Sequence, residues 1–265
     1  MFIEADYFWV RGRGHLLSRC NGRGSDVAVH LLARFANSWN LASHLFSSIR
    51  KRGIWRTAKI SLFELYYETK FRIRTGFVIP TRQIDGDAEA LRHATDYFPS
   101  SYLILHEALL AAEIDYRNAT LVDYGCGLGR ALLFASTLPF RRIIGVELSP
   151  SLSAAATANM TRFYHRLNKH EPDWVVVNSD ARTFNIPDDA NLFYFFNPFD
   201  ASVLANVIDR IISSAHHAPR TCTIIYANPL HEVVLRVRGL RKMHVQSVDF
   251  AIYCLEPIAL GSTQS

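Results

Sequence analysis

Leu121-Val122-Asp123-Tyr124-Gly125-Cys126-Gly127-Leu128-Gly129-Arg130 is the stretch on which the fold turns. Leu121 and Val122 have the apolar character of a buried parallel strand. Gly125, Gly127 and Gly129 let the backbone turn sharply and approach a bound molecule with no Cβ in the way. Ala131-Leu132-Leu133-Phe134 then resume as a helix. Strand, glycine turn and helix in that order place a ligand at the carboxyl end of a strand in an open α/β sheet. A glycine triplet is equally compatible with a tight turn that holds nothing, so the surrounding segments must decide.

The dinucleotide fingerprint needs a small residue three positions after its second glycine, where helix and strand pack closely. That position is Arg130 here, which disfavours a nicotinamide dinucleotide and an oxidoreductase. Ile143-Ile144-Gly145-Val146-Glu147 is a second apolar run ending in an acid, about twenty residues past the glycines, where a ribose-binding carboxylate is expected. The alternative for Glu147 is an acid opening the helix at Ser149-Pro150. Trp174-Val175-Val176-Val177 is a third β-rich run followed by Asn178-Ser179-Asp180-Ala181, and an Asp in that place also serves as an ordinary turn or helix cap. Leu192 to Phe196 is a fourth, ending in Asn197-Pro198-Phe199-Asp200; a plain Asn-Pro turn is the alternative reading.

The acid followed by GxGxG at Asp123 to Gly129 resembles motif I of the class I S-adenosylmethionine-dependent methyltransferases. Asn178 to Ala181 resembles that family's adenine-contacting element. Asn197-Pro198-Phe199 resembles motif IV, with one proline fewer than the Asn/Asp-Pro-Pro-aromatic tip of amino-methylating members. All four signals occur in the family's order. The resemblance implies S-adenosylmethionine as the cofactor, its methionine portion held by Asp123 and the loop Gly125, Cys126, Gly127 and Gly129. It implies ribose contacts from Glu147 with Leu148, and adenine contacts from Asp180 and the Ala181 N–H. Asn197, beside the cofactor, would orient the acceptor and lean it toward nitrogen, with the Phe199 ring packing on its plane. Asp200 is either the base or the cap of the next helix. No metal is implied, since the sulfonium is already activated and catalysis consists of alignment and exclusion of water.

The remaining pattern predicts an α/β, Rossmann-like sheet of seven mostly parallel strands with helices on both faces. Thr221 to Ala227 reads as the fifth strand, and Val245 to Val248 with Phe250 to Leu255 as an antiparallel closing hairpin joined by Asp249 alone. Helices are predicted over 103–112, 129–136, 151–167, 201–214 and 231–238. The core domain is set at residues 97–265, preceded by a helical N-terminal extension over 26–96 and a flexible beginning over 1–25. Within the extension, helices are expected at 26–49, ended by Arg50-Lys51-Arg52-Gly53, and at 62–71, followed by a loop or short strand over 72–83. Tyr97 and Tyr102, near a Pro-Ser element, resemble residues that fold over the methionine end of the cofactor.

Charge is uneven. Thirteen Lys and Arg against five Asp and Glu give residues 1–75 a balance of +8, whereas the whole chain is +5. An anionic partner for the basic extension follows from that. Cys20, Cys126, Cys222 and Cys254 show no CxxC spacing, and Cys126 reads as a small packing residue rather than a nucleophile. With no apolar run of about twenty residues and no signal-like N-terminus, the expected location is the cytoplasm. The leading expectation is methyl transfer to an unidentified acceptor. A catalytically silent cofactor-binding module, acting on RNA or a protein through the basic extension, is the second.

Overall fold

The computed structural model describes residues 48–50, 52–167, 173–243, 245 and 247–256. The chain divides into two compact units, Met1–Thr57 and Ala58–Ser265. The flexible beginning and nearly all of the helix predicted over 26–49 lie outside the described residues; Ser48, Ile49 and Arg50 at its end are helical.

The sheet has seven strands: β1 Thr120–Tyr124, β2 Arg142–Glu147, β3 Asp173–Asn178, β4 Leu192–Phe196, β5 Cys222–Ala227, β6 Arg241–Lys242 and β7 Phe250–Leu255. Their spatial order is β3-β2-β1-β4-β5-β7-β6. The first five run parallel, and β7 runs antiparallel to both its neighbours. Chain order reverses between β1 and β4, so the crevice beyond their carboxyl ends is where a doubly wound sheet holds its ligand.

Helices α1 Ile54–Phe71, α2 Ala88–Leu91, α3 Tyr102–Ala111, α4 Arg130–Ala135, α5 Pro150–Leu167, α6 Ala201–His217 and α7 Val233–Arg236 complete the fold. All of β1 is buried, as a parallel strand covered on both faces must be. Leu121, Tyr194 and Ile225 meet α3, α4 and α5 in one apolar layer. Val122, Phe193 and Phe195 meet Val203, Val207 and Ile211 of α6 in the other. Tyr67 and Phe71 join the first layer, with ring centroids 5.1 Å from Tyr102, 5.2 Å from Phe134 and 5.2 Å from Phe163.

The closing hairpin differs from its prediction. Its outer strand is Arg241–Lys242, not Val245 to Val248, whose described residues form no strand. One residue, Asp249, cannot reverse a chain, since the tightest hairpins need a two-residue loop. The ladder instead continues through the Met243 N–H to the Ile252 carbonyl at 2.9 Å. Helix 231–238 shrinks to α7, and α1 begins at Ile54 rather than Leu62, directly after the left-handed Gly53.

Candidate functional site

Three alternating left-handed glycines shape the β1 tip: φ is 72° at Gly125, 54° at Gly127 and 79° at Gly129. A Cβ at Gly125 would overlap Pro198, and one at Gly127 would overlap the Tyr97 ring. Tyr97 therefore does lie on the glycine loop, its hydroxyl donating to the Thr75 carbonyl at 3.0 Å. Tyr102 does not. Its ring is fully buried under the Arg130 guanidinium, 3.9 Å from ring centre to Cζ, and belongs to the core.

Asp123 is 3% exposed, and no described residue donates a hydrogen bond to its carboxylate. The register sets it between Gly145 of β2 and Tyr194 of β4, whose buried hydroxyl also has no partner among the described residues. Burial, and next the charge of Glu147, push the Asp123 carboxyl up to about 8. Glu147 faces the same loop. One of its oxygens accepts the Gly127 N–H at 2.8 Å and the other the Ser149 N–H at 3.0 Å, while burial outweighs these bonds and leaves its pKa raised. Cys126 is buried with its thiol pushed well up by that burial, as a packing residue should be.

A cleft of about 420 Å³ opens at the tips of β2 and β3, lined by Leu148, Pro150, Asn178, Ser179 and Asp180, with Gly86, Asp87 and Ala90 from the lead-in opposite. Asn178 ties the two tips by donating to the Glu147 and Leu148 carbonyls at 2.9 and 2.8 Å. Asp85 caps α5, accepting from the Ser149 and Ser151 hydroxyls and the Ser151 N–H. Asp180 borders this cleft but is engaged. It accepts the Arg182 N–H at 2.8 Å and pairs with that guanidinium at 2.6 Å; against its partial burial, these bonds hold its carboxyl below the ordinary range. Ala181 beside it is half-buried against the α6-side core.

At the β4 tip, Asn197 adopts φ 47°, a conformation Asn tolerates better than most residues. Its side-chain oxygen accepts from the Tyr226 hydroxyl at 2.9 Å, and its carbonyl from the Thr95 hydroxyl at 3.0 Å. The strand-like contact of Ala94 with Phe199 lays residues 93–95 along this tip. Phe199 does not present its ring to an acceptor: it is 7% exposed, turned into the core with its centroid 6.0 Å from that of Phe195.

Asp200 is a cap. Its Oδ1 accepts the Ser202 and Val203 N–H groups at 2.9 and 3.0 Å, and its Oδ2 lies 2.7 Å from His93 Nδ1. Burial works against ionisation, but the bonds from Val203, His93 and Ser202 hold its carboxyl far below the ordinary range. Of the two roles expected for Asp200, this geometry is that of the cap. Because an ionised carboxylate only accepts, His93 Nδ1 carries the hydrogen of this bond and Nε2 points away from it. Nothing in the sequence pointed to His93, 107 residues away. Asp200→Ala is expected to cost about 1–2 kcal/mol through the lost cap. Urea unfolding checks it, and an unchanged midpoint would contradict the capping role.

Arg130 opens α4 from the glycine loop, and its environment answers why an arginine stands there. It is 4% exposed, pairs with Glu64 and, at 3.0 Å, with Glu68 of α1, and donates to the Thr75 hydroxyl and the Ser100 carbonyl, each at 2.7 Å. Glu64 in turn accepts from the Ser101 hydroxyl and the Tyr102 N–H, both at 2.9 Å. One side chain thus fastens the lead-in to the start of the loop helix.

No protein-family model matches the chain, and no curated protein matches its sequence. Among solved structures it is similar to magnesium protoporphyrin IX methyltransferase from Synechocystis PCC 6803 with bound SAM, at 10% identity over 58% of this chain and 77% of that one, TM-score 0.43. It is similar to ribosomal protein L11 methylase from Lactobacillus delbrueckii subsp. bulgaricus, at 17% identity over 57% and 76%, TM-score 0.41. For a SAM dependent methyltransferase from Aquifex aeolicus the values are 14%, 57% and 88%, with TM-score 0.42.

Proposed function

We propose that this chain is an S-adenosylmethionine-dependent methyltransferase. The observation that carries the reading is Asp123, a buried carboxyl with no donor among the described residues, at a glycine loop on the switch point of the sheet. An unpartnered acid there is costly unless a cation meets it, and a methionine ammonium is such a cation. The cleft at the tips of β2 and β3 has the size of a small-molecule site.

In this reading Asp123 and the backbone of Gly125, Cys126, Gly127 and Gly129 hold the methionine portion, and Tyr97 covers it. Glu147 and Leu148 serve the ribose. Each oxygen of Glu147 spends one lone pair on a loop N–H and keeps the other. Asp180 and Ala181 bound the adenine end, Asp180 sharing its oxygens with Arg182. When bound, the cofactor supplies a methyl carbon activated by its sulfonium. The chain's own residues align the acceptor and keep water away. Asn197 orients the acceptor, for which we infer a nitrogen atom, and the Nε2 of His93, held by Asp200, takes up its proton. The setting we infer is the cytoplasm; no described helix is long and apolar enough to cross a membrane.

The β4 tip favours a second reading, a catalytically silent module that keeps the cofactor, because the Asn197 oxygen already accepts from Tyr226 and the Phe199 ring is turned inward. Turnover with a panel of amine acceptors separates the two. Titration calorimetry tests what they share. Wild type should bind S-adenosylmethionine, and Glu147→Ala should bind at least about tenfold more weakly. No heat at millimolar ligand would refute both.

A further inference from the structure

At the end of α5 remote from the glycine loop, Arg72, Ile73, Thr161, Arg162, His165 and Arg166 line an open cavity of about 290 Å³. Among the described residues, its arginines lack the carboxylate partners that several others in the molecule have. Arg130, Arg141, Arg142, Arg182, Arg238 and Arg241 each meet a carboxylate. Arg72, Arg162, His165 and Arg166 meet none among the described residues, and all four are exposed. Arg166 gives one N–H to the Phe71 carbonyl at 3.3 Å. The Thr161 hydroxyl is spent on the Thr157 carbonyl at 2.9 Å.

The fold brings these cations together at a cost. Arg162 and Arg166 stand one helical turn apart on the same face of α5, and like charges at that spacing destabilise a helix. Arg72 is placed against them by a left-handed backbone, φ 51°, where α1 ends. Lys70 and Arg74, both exposed, extend the positive surface along the chain. Guanidinium groups with no carboxylate partner among the described residues suit one external ligand above others, the phosphate group, which they hold bidentately.

We propose that this cavity is a phosphate-binding subsite for the phosphodiester backbone of a nucleic acid. A lipid surface is disfavoured, because the one aliphatic side chain in the lining, Ile73, is only 5% exposed. A small phosphate compound fits poorly too, since exposed arginines round an open cavity offer charge and little enclosure. A polyanion gathers affinity from successive phosphates, which Lys70 and Arg74 are placed to extend. Thr161 to Arg166 lie eleven to sixteen residues along α5 from Pro150 at the cleft, roughly 17–24 Å at the helical rise. That is a span of about five to seven nucleotides at 3.4 Å each, short enough for one strand to touch both places.

The experiment is fluorescence anisotropy with the full chain and a labelled single-stranded RNA of ~20 nucleotides, across about 50–200 mM salt. The same-sequence DNA, pyrophosphate as competitor and phosphatidylserine vesicles are parallel arms. Arg162→Ala/Arg166→Ala should bind RNA roughly tenfold more weakly, with a salt slope lower by about 1–2, while Arg162→Lys/Arg166→Lys keeps most of both. Binding of S-adenosylmethionine and the circular dichroism spectrum should not change in either variant, so the outcome is independent of the methyl-transfer reading. DNA bound as tightly as RNA supports a backbone site equally. The proposal fails if wild type binds neither nucleic acid, if the alanine variant matches wild type in affinity and slope, or if pyrophosphate or vesicles bind more tightly than the oligonucleotides.

Discussion

Asp123→Asn abolishes tight binding of S-adenosylmethionine, with an expected loss on the order of 2–5 kcal/mol for removing one partner of a buried charge pair. The pH dependence of binding to the wild-type protein should show why. In the free protein the Asp123 carboxyl titrates at about 8, raised by burial and by Glu147. A bound ammonium requires the ionised form, so below about pH 8 binding must expel a proton. Affinity should therefore rise about tenfold per pH unit up to roughly 8 and fall above it as the ligand's own α-amino group loses its charge. Asp123→Asn should lose that slope. The stability consequence has the opposite sense. A carboxyl whose folded pKa lies above its ordinary 3.8 contributes stability that is fully present below that value and is lost as pH rises through about 8. Urea midpoints of Asp123→Asn should accordingly gain on wild type from pH 5 to pH 9. Calorimetry in two buffers of different ionisation enthalpy reports the released proton directly, and a pH-independent affinity would rule out the proposed role of Asp123.

Replacing Arg130 by methionine destabilises the Ala58–Ser265 unit more than any other single change considered. The variant leaves Glu64 and Glu68, 26% and 29% exposed, facing each other without their common cation. It also leaves the Thr75 hydroxyl and Ser100 carbonyl without that donor. Loss of one partner from a buried ion pair costs about 3–5 kcal/mol, and the partial exposure of the two acids argues for the lower part of that range. Guanidinium or urea unfolding gives the number, and the m-value shows whether the lead-in has come away before global unfolding. Glu64→Gln/Glu68→Gln in the Arg130→Met background should restore part of the loss, because it removes the stranded charges. Equal midpoints for wild type and Arg130→Met would show that the clamp contributes nothing.

Local signals fixed much of the architecture in advance. The run Leu121 to Arg130 carried strand, turn and helix within ten residues, each with its own short-range cause: apolar β-branched or aliphatic side chains, positive-φ glycines, then good helix formers. The same holds for β2, β4, α5 and α6, where period and capping agree. β6 escaped because Arg241-Lys242 is a two-residue edge strand, made only by its pairing to β7 and carrying no apolar pattern of its own. His93 escaped for a similar reason. Its significance lies in a bond to Asp200, and a histidine in a polar loop gives no sign of a partner 107 positions away.

By itself, the sequence determined that a glycine loop follows a buried strand, that acids stand at the next strand tips, and that strands and helices alternate into a parallel sheet. Those are consequences of steric freedom and hydrophobic period, which act over a few residues. Tertiary structure alone decided what each polar group does. Arg130 became a clamp because Glu68 and Thr75, 62 and 55 residues away, fold over it. Asp123 was left in a buried place without a donor among the described residues, and Phe199 was turned into the core. A side chain's charge state and direction are set by what surrounds it in space, and those surroundings come from distant parts of the chain.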